Sequence, residues 1–204
     1  MTDVAAVRRV LLSGGVALLP TDTVYGLMAA LDAPDGVSAL YRLKKRPLTQ
    51  PCQVLFFGAS GLADAMAALP PATCEIAAAL LPGPVTVIVP DTAGRYRAAA
   101  GATTGSVGLR APSITGALAT LDIPLIATSA NHPGGPDAAS VEAVPADLRN
   151  GCTITVDTGV LTPTPSAVVD LRGVERNEPV YILRPGSDPD ALVATLRAIG
   201  VLAS

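Results

Sequence analysis

The chain has 204 residues, of which 50% are hydrophobic and 15% charged, and its formal net charge is −3. That is enough apolar matter for one sizeable core, and it excludes an intrinsically disordered chain. The negative balance, with 3% aromatics and no Trp, excludes broad electrostatic capture of nucleic acid and base-stacking platforms, so any nucleic-acid contact is expected to be weak or indirect.

In chain order, residues 3–12 carry helical spacing, with Val4, Val7, Leu11 and Leu12 on one side, and Gly14-Gly15 stops it. Residues 16–19 read as a buried strand, 20–26 as a polar loop at its carboxyl end, and 27–31 as a second strand. Residues 34–46 read as a helix with Val37, Leu40, Tyr41 and Leu43 inward and Pro47 as its stop. A strand over 53–57, helices over 61–69 and 73–81 and a strand over 85–89 follow, then a Gly/Ala/Thr-rich loop over 91–105. Residues 106–110 read as a strand, 114–121 as a helix, 124–128 as a strand and 140–148 as a helix interrupted by Pro145. Strands over 153–156, 167–171 and 180–183 precede a closing helix over 189–199. Several strands run together with only turns between them. The expected fold class is therefore α/β, an open, twisted mixed sheet flanked by helices, in one domain spanning 1–204.

Cys52, Cys74 and Cys152 are far apart and form no CxxC pair, and His132 is the only histidine. No usual zinc set is available, and buried free thiols in a reducing cytoplasm are the simplest account. Ser13-Gly-Gly15 breaks the apolar run near the N-terminus, so a signal peptide is not expected. No stretch is long enough to span a bilayer, and no membrane partner is expected.

Both lysines, Lys44 and Lys45, fall inside Arg42-Leu-Lys-Lys-Arg46, whereas twelve arginines supply the other positive charges. Lysine offers a compact, strongly hydrated charge suited to phosphate, and Arg46 adds a planar fork. A basic helix end is equally what the helix dipole favours in a solvated cluster, and the pattern alone leaves both readings open. Neither GxxxxGK[ST] nor GxGxxG occurs, so phosphates have to be held by other groups. Polar candidates gather at strand ends, where ligands of open α/β sheets collect: Thr21, Asp22 and Thr23; Ser106 and Arg110; Ser129 and Asn131; Arg184. His132 in a loop without a visible partner reads as solvated, and Ser166 lacks the GxSxG elbow of a hydrolase nucleophile. Asp22, Asp157 and Asp170 are too scattered for a metal cage, so Mg²⁺ is expected to arrive on a nucleotide.

The octamer Pro20-Thr-Asp-Thr-Val-Tyr-Gly-Leu27 and Lys44-Lys-Arg-Pro47 are followed, in order, by Pro82-Gly-Pro84 with Thr86 and by Val107-Gly-Leu-Arg-Ala-Pro112. Ser129-Ala-Asn131 with Gly134, Ser166 with Val168-Val-Asp170, and Leu183-Arg-Pro-Gly186 complete the set. In this combination the chain resembles the YrdC-like family. The resemblance implies a YrdC-like fold with a basic cavity and a reaction of ATP, L-threonine and bicarbonate giving threonylcarbamoyl-AMP and pyrophosphate. The product serves modification of tRNA adenosine 37 through a threonylcarbamoyl transfer machinery. By family position, Thr23 and Arg110 hold threonine, while Lys44, Arg46, Gln50, Ser106, Ser129, Asn131 and Arg184 hold the nucleotide. Lys44 and Arg46 also offset charge in the reaction. Two alternatives are a paralogue that binds RNA or nucleotide without this activity and a carbamoyl-adenylate enzyme using another amine.

Several positions depart from the family pattern, while the nucleotide cavity is kept in outline. Leu55 stands where relatives often have histidine, Gln50 replaces Asn, and Pro133 and Asp137 replace serines. Ile114-Thr115 replaces His-Pro, and Ala167 replaces Thr. Amino-acid selection is therefore expected to differ more than nucleotide binding.

Overall fold

The computed structural model describes residues 2–101, 105–162 and 164–202. Helix α1 (Val4–Leu12) opens on Asp3, whose carboxylate accepts the Ala6 N–H at 3.0 Å, and buries Val7 and Leu11. It stops at Gly14, whose φ of 84° is left-handed. Strands β1 (Ala17–Leu19) and β2 (Gly26–Ala30) follow, then α2 (Pro34–Leu43), with Pro34 in its first turn. Next come β3 (Gln53–Leu55), α3 (Ala59–Ala67), α4 (Pro71–Leu80), β4 (Val85–Pro90), a short α5 (Arg97–Ala100) and β5 (Ser106–Arg110). The chain continues with β6 (Leu125–Ser129), α6 (Ala146–Asn150), β7 (Ile154–Thr155), β8 (Ala167–Asp170), β9 (Tyr181–Arg184) and α7 (Pro189–Ala198).

The strands form one nine-stranded sheet in the order β7-β1-β2-β6-β3-β5-β4-β8-β9. Pairs β1–β7, β3–β5 and β4–β8 are parallel and the others antiparallel, which is the mixed sheet expected. One face carries Leu18, Leu27, Val54, Val87, Leu109, Ile126 and Val169 and packs against apolar residues of α2, α4 and α7. On the other face a smaller cluster joins Ala17, Leu19, Met28, Leu55 and Leu125 to Val7 and Leu11 of α1 and to Leu118. Beyond that cluster the second face is open. Side chains alternate along a strand, so the face of β3 that buries Leu55 also presents Gln53, and the face of β5 that presents Arg110 also presents Gly108.

Three expectations are corrected. The helix expected over 114–121 is only a 3-10 turn, Ala117–Thr120, because Gly116 enters it at φ 80°. The helix expected over 140–148 forms only as α6. Pro145 has no N–H to continue a ladder and instead sits at the helix start. The 34–46 helix ends at Leu43 because Lys45 takes a left-handed φ of 51°. The cysteines are all free, but only Cys52 is buried, Cys74 and Cys152 being half-buried. Among the described residues, no helix is long and apolar enough to cross a membrane.

Candidate active site

The open sheet face floors a cavity of about 270 Å³. Arg46 enters it from beyond α2, Arg110 from the end of β5, and Arg184 from the end of β9. Ser129, the last residue of β6, and Asp137, in the loop after it, also line the cavity, and Met28, Leu55 and Ala127 form an apolar strip.

Arg110 is fixed by the octamer loop. Its Nη2 donates to Asp22 Oδ1 and to Thr23 Oγ1, both at 2.6 Å, and only 4% of its side chain is exposed. Asp22 Oδ2 accepts the Ser113 N–H at 2.8 Å, which pins the carboxylate from the other side. Burial pushes the Arg110 pKa down, and the adjacent Asp22 charge opposes that shift. Arg110 Nε is buried without a hydrogen-bond partner among the described residues.

The end of α2 explains how the basic cluster turns inward. The Lys45 N–H bonds the Arg42 carbonyl at 3.0 Å and the Arg46 N–H bonds the Tyr41 carbonyl at 2.9 Å, the pair of contacts of a Schellman motif. Lys45 is left exposed, whereas Lys44 is 5% exposed. Lys44 Nζ donates to the Ser129 carbonyl at 2.8 Å, to Asn131 Oδ1 at 3.0 Å and to the Asn131 carbonyl. Its three donors are spent on the 129–131 loop. Desolvation, then the nearby Arg46 charge, push its pKa down to about 8. Arg46 Nη2 donates to the Pro51 carbonyl at 2.6 Å and Nη1 to Thr128 Oγ1 at 3.2 Å, while its buried Nε has no partner among the described residues.

Asn131 is also spent inside the protein. Its Oδ1 accepts from Ser129 Oγ at 2.8 Å as well as from Lys44, and its Nδ2 donates to the Gly135 carbonyl at 2.9 Å and to Asp137 Oδ1 at 3.2 Å. Backbone bonds from the Tyr25 N–H to the Ala138 carbonyl and from the Ala130 N–H to the Tyr25 carbonyl, both 2.9 Å, tie this loop to the octamer loop.

Of the residues expected from the sequence, the structure brings Thr23, Lys44, Arg46, Arg110, Ser129, Asn131 and Arg184 together in or directly behind the cavity wall. Gln50 is exposed and outside the lining, where its carbonyl accepts the Tyr41 hydroxyl at 3.1 Å. Ser106 stands at the opposite end of β5 from Arg110 and lines a different depression with Pro90, Thr92 and Arg172. Contrary to expectation, His132 has a partner: its Nε2 lies 3.1 Å from Asp147 Oδ1, outside the cavity lining.

Sequence reasoning missed Gln53. Arg184 Nε donates to the Ser166 carbonyl at 2.7 Å, and Nη2 reaches Ser166 Oγ at 3.3 Å. Ser166 Oγ is 3.1 Å from Thr86 Oγ1, and Thr86 Oγ1 donates to Gln53 Oε1 at 2.9 Å. The available signal was an amide one alternation from Leu55 in a strand of otherwise apolar residues.

Comparison with known proteins decides the family. The profile of the Sua5/YciO/YrdC family, described as telomere recombination, matches residues 9–186. The chain belongs to that family. It is 30% identical over 187 residues to the threonylcarbamoyl-AMP synthase of Bacillus subtilis, covering 90% of this chain and 53% of the relative. It is 34% identical over 181 residues to the threonylcarbamoyl-AMP synthase of Xanthomonas euvesicatoria, covering 84% and 96% respectively. The structure of Pyrococcus abyssi Sua5 complexed with L-threonine superposes with a TM-score of 0.79 at 27% identity, over 98% of this chain and 58% of that one. Escherichia coli YciO, at 21% identity and a TM-score of 0.74, shares the fold over 90% of this chain and 88% of its own. The chain thus spans about half the length of the Bacillus relative and somewhat more of the Pyrococcus structure.

Proposed function

We propose that this chain makes threonylcarbamoyl-AMP and pyrophosphate from L-threonine, bicarbonate and ATP. The observation that carries the reading is the convergence of Arg46, Arg110 and Arg184 on one cavity in a chain with a net charge of −3. That concentration of fixed cations suits a carboxylate beside a triphosphate. The named synthase relatives and the threonine complex of the Pyrococcus protein support the choice of substrate.

Arg110, oriented by Asp22 and Thr23, takes the threonine carboxylate. Bicarbonate takes up a proton and loses water to give carbon dioxide, the threonine amine adds to its carbon, and the amine releases the proton that balances the one taken up. A carbamate oxygen attacks the α-phosphorus while pyrophosphate departs in line. Little covalent chemistry is asked of the protein, which positions the reactants and offsets charge. Arg46 and Arg184 face the phosphates. Lys44 acts from behind the wall, clamping the Ser129–Asn131 loop while adding positive charge. Magnesium carried on ATP would supply neutralisation of phosphate charge, and Asp137 is the lining carboxylate that would hold it. Transfer of the product to tRNA adenosine 37 by a separate machinery, with only weak direct tRNA contact, and a cytoplasmic setting complete the proposal.

The apolar strip of Leu55, Met28 and Ala127 beside Arg110 favours one second reading, the same chemistry on a different amine. Incubating the chain with ATP, Mg²⁺, bicarbonate and single amino acids, and weighing the adenylate by mass spectrometry, separates the two. Threonylcarbamoyl-AMP is the expected product. An adenylate formed only with another amine overturns the threonine assignment, and no adenylate overturns both.

A further inference from the structure

We propose that Gln53 contacts the substrate, its carboxamide N–H donating to the side-chain hydroxyl of the bound hydroxy-amino acid. The proposal rests on the amino-acid reading of the cavity and names the group that selects within it. Arg184 Nη2 can only donate to Ser166 Oγ. Thr86 Oγ1 spends its one proton on Gln53 Oε1, so in the 3.1 Å Ser166–Thr86 contact the proton comes from Ser166. This one-way chain fixes the amide, with its oxygen towards Thr86 and its NH₂ group left over. Gln53 Nε2 has no hydrogen-bond partner among the described residues, and Gln53 lines the cavity. An amide held by one end with its donors free is a preorganised hydrogen-bonding group.

The spacing identifies what it meets. Leu55 pairs with Arg110 across β3 and β5, and Gln53 pairs with Gly108, the next row on the same face. Adjacent rows on one face are about 7 Å apart along the strand. An amino acid held by its carboxylate at Arg110 and by a side-chain oxygen at Gln53, through hydrogen bonds at both ends, spans such a gap. Gly108 keeps the path clear: a Cβ there would lie 3.2 Å from Thr86 Cγ2 and 3.6 Å from Gln53 Cβ. A side chain at 108 would crowd the Thr86–Gln53 contact and fill the space beside it. Leu55, next along the face, has no donor to offer, so Gln53 supplies the polar contact in this part of the floor.

The test compares threonine with 2-aminobutyrate, which lacks only the hydroxyl, by calorimetry and by adenylate formation. The unaltered protein is expected to prefer threonine by at least about a hundredfold. Gln53→Met keeps the length and removes the donor, and is expected to cut that preference about tenfold or more while changing ATP affinity less than twofold. Thr86→Val frees the amide to turn and is expected to give a smaller loss in the same direction, which keeps the proposal testable should Gln53→Met not fold. Unchanged preference in a folded Gln53→Met protein overturns the proposal, as does an equal loss for both amino acids, which would place the contact on a shared group. Absence of any amino-acid binding by the unaltered protein overturns it together with the reading on which it rests, and is distinguishable because ATP alone then binds.

Discussion

Replacing Asp22 by Asn tests whether Arg110 is held as a charged pair. The two side chains are only 4% and 10% exposed, and the contact is 2.6 Å. Asn preserves the shape and one acceptor oxygen but leaves the guanidinium uncompensated in a site where burial already pushes its pKa down. Breaking a buried pair by removing one partner costs about 3–5 kcal/mol. For a chain of this length that lowers the melting temperature by roughly 10 °C. Arg110→Gln removes the charge that needs compensation, so Asp22→Asn/Arg110→Gln should recover part of the stability while threonine binding stays lost. Thermal unfolding and threonine calorimetry on the three variants form a double-mutant cycle. A coupling below about 0.5 kcal/mol, with threonine binding intact in Asp22→Asn, would refute the claim that this pair is dry and orients Arg110.

Three further perturbations address other parts of the site. Lys45→Gly should raise stability by about 1 kcal/mol with activity unchanged, because the residue is exposed and sits at a left-handed cap position that glycine occupies without strain; a loss of activity in chemical-denaturation-stable protein contradicts this. The Lys44 pKa is pushed down to about 8 from the ordinary 10.5, so the unfolded chain binds more protons across that window. Its contribution to stability therefore rises with pH there. Its attraction for phosphate falls over the same window, and ATP binding at pH 8 should take up about half a proton, read by calorimetry in buffers of different ionisation enthalpy. Zero uptake contradicts a cationic role for Lys44. Asp137→Ser should tighten ATP binding in EDTA about tenfold by removing a like charge from the lining, and unchanged affinity places the triphosphate elsewhere.

Strand ends were the most legible part of the site. Thr23, Arg110, Ser129 and Arg184 terminate or follow strands, and the row Arg110–Thr86–Val168–Arg184 across β5, β4, β8 and β9 brings two of those ends together, whereas Ser129 ends a strand antiparallel to β3 and reaches the cavity from the other side. Ser106 shows the limit of that reasoning. It and Arg110 bracket the same strand, and four residues of strand separate them by roughly 13 Å. Lys44 was legible as a special charge but not as a clamp. Its direction depends on the left-handed turn at Lys45, a position for which sequence favours glycine. That geometry also decides what Lys44→Ala would remove. The substitution strips the donors from two backbone carbonyls and the Asn131 amide, so stability is expected to fall together with activity. Gln53 was hidden because an amide in a short strand carries no signal until its face is known, and the face depends on which neighbours cover it.

The most direct test of the central claim, that one cavity joins a carbamoylated amino acid to the α-phosphate of ATP, is isotope exchange of pyrophosphate into ATP. The account predicts exchange that requires threonine and bicarbonate together and is lost in Arg110→Gln. Exchange that proceeds without bicarbonate, or ATP binding with no exchange under any amino acid, would contradict it.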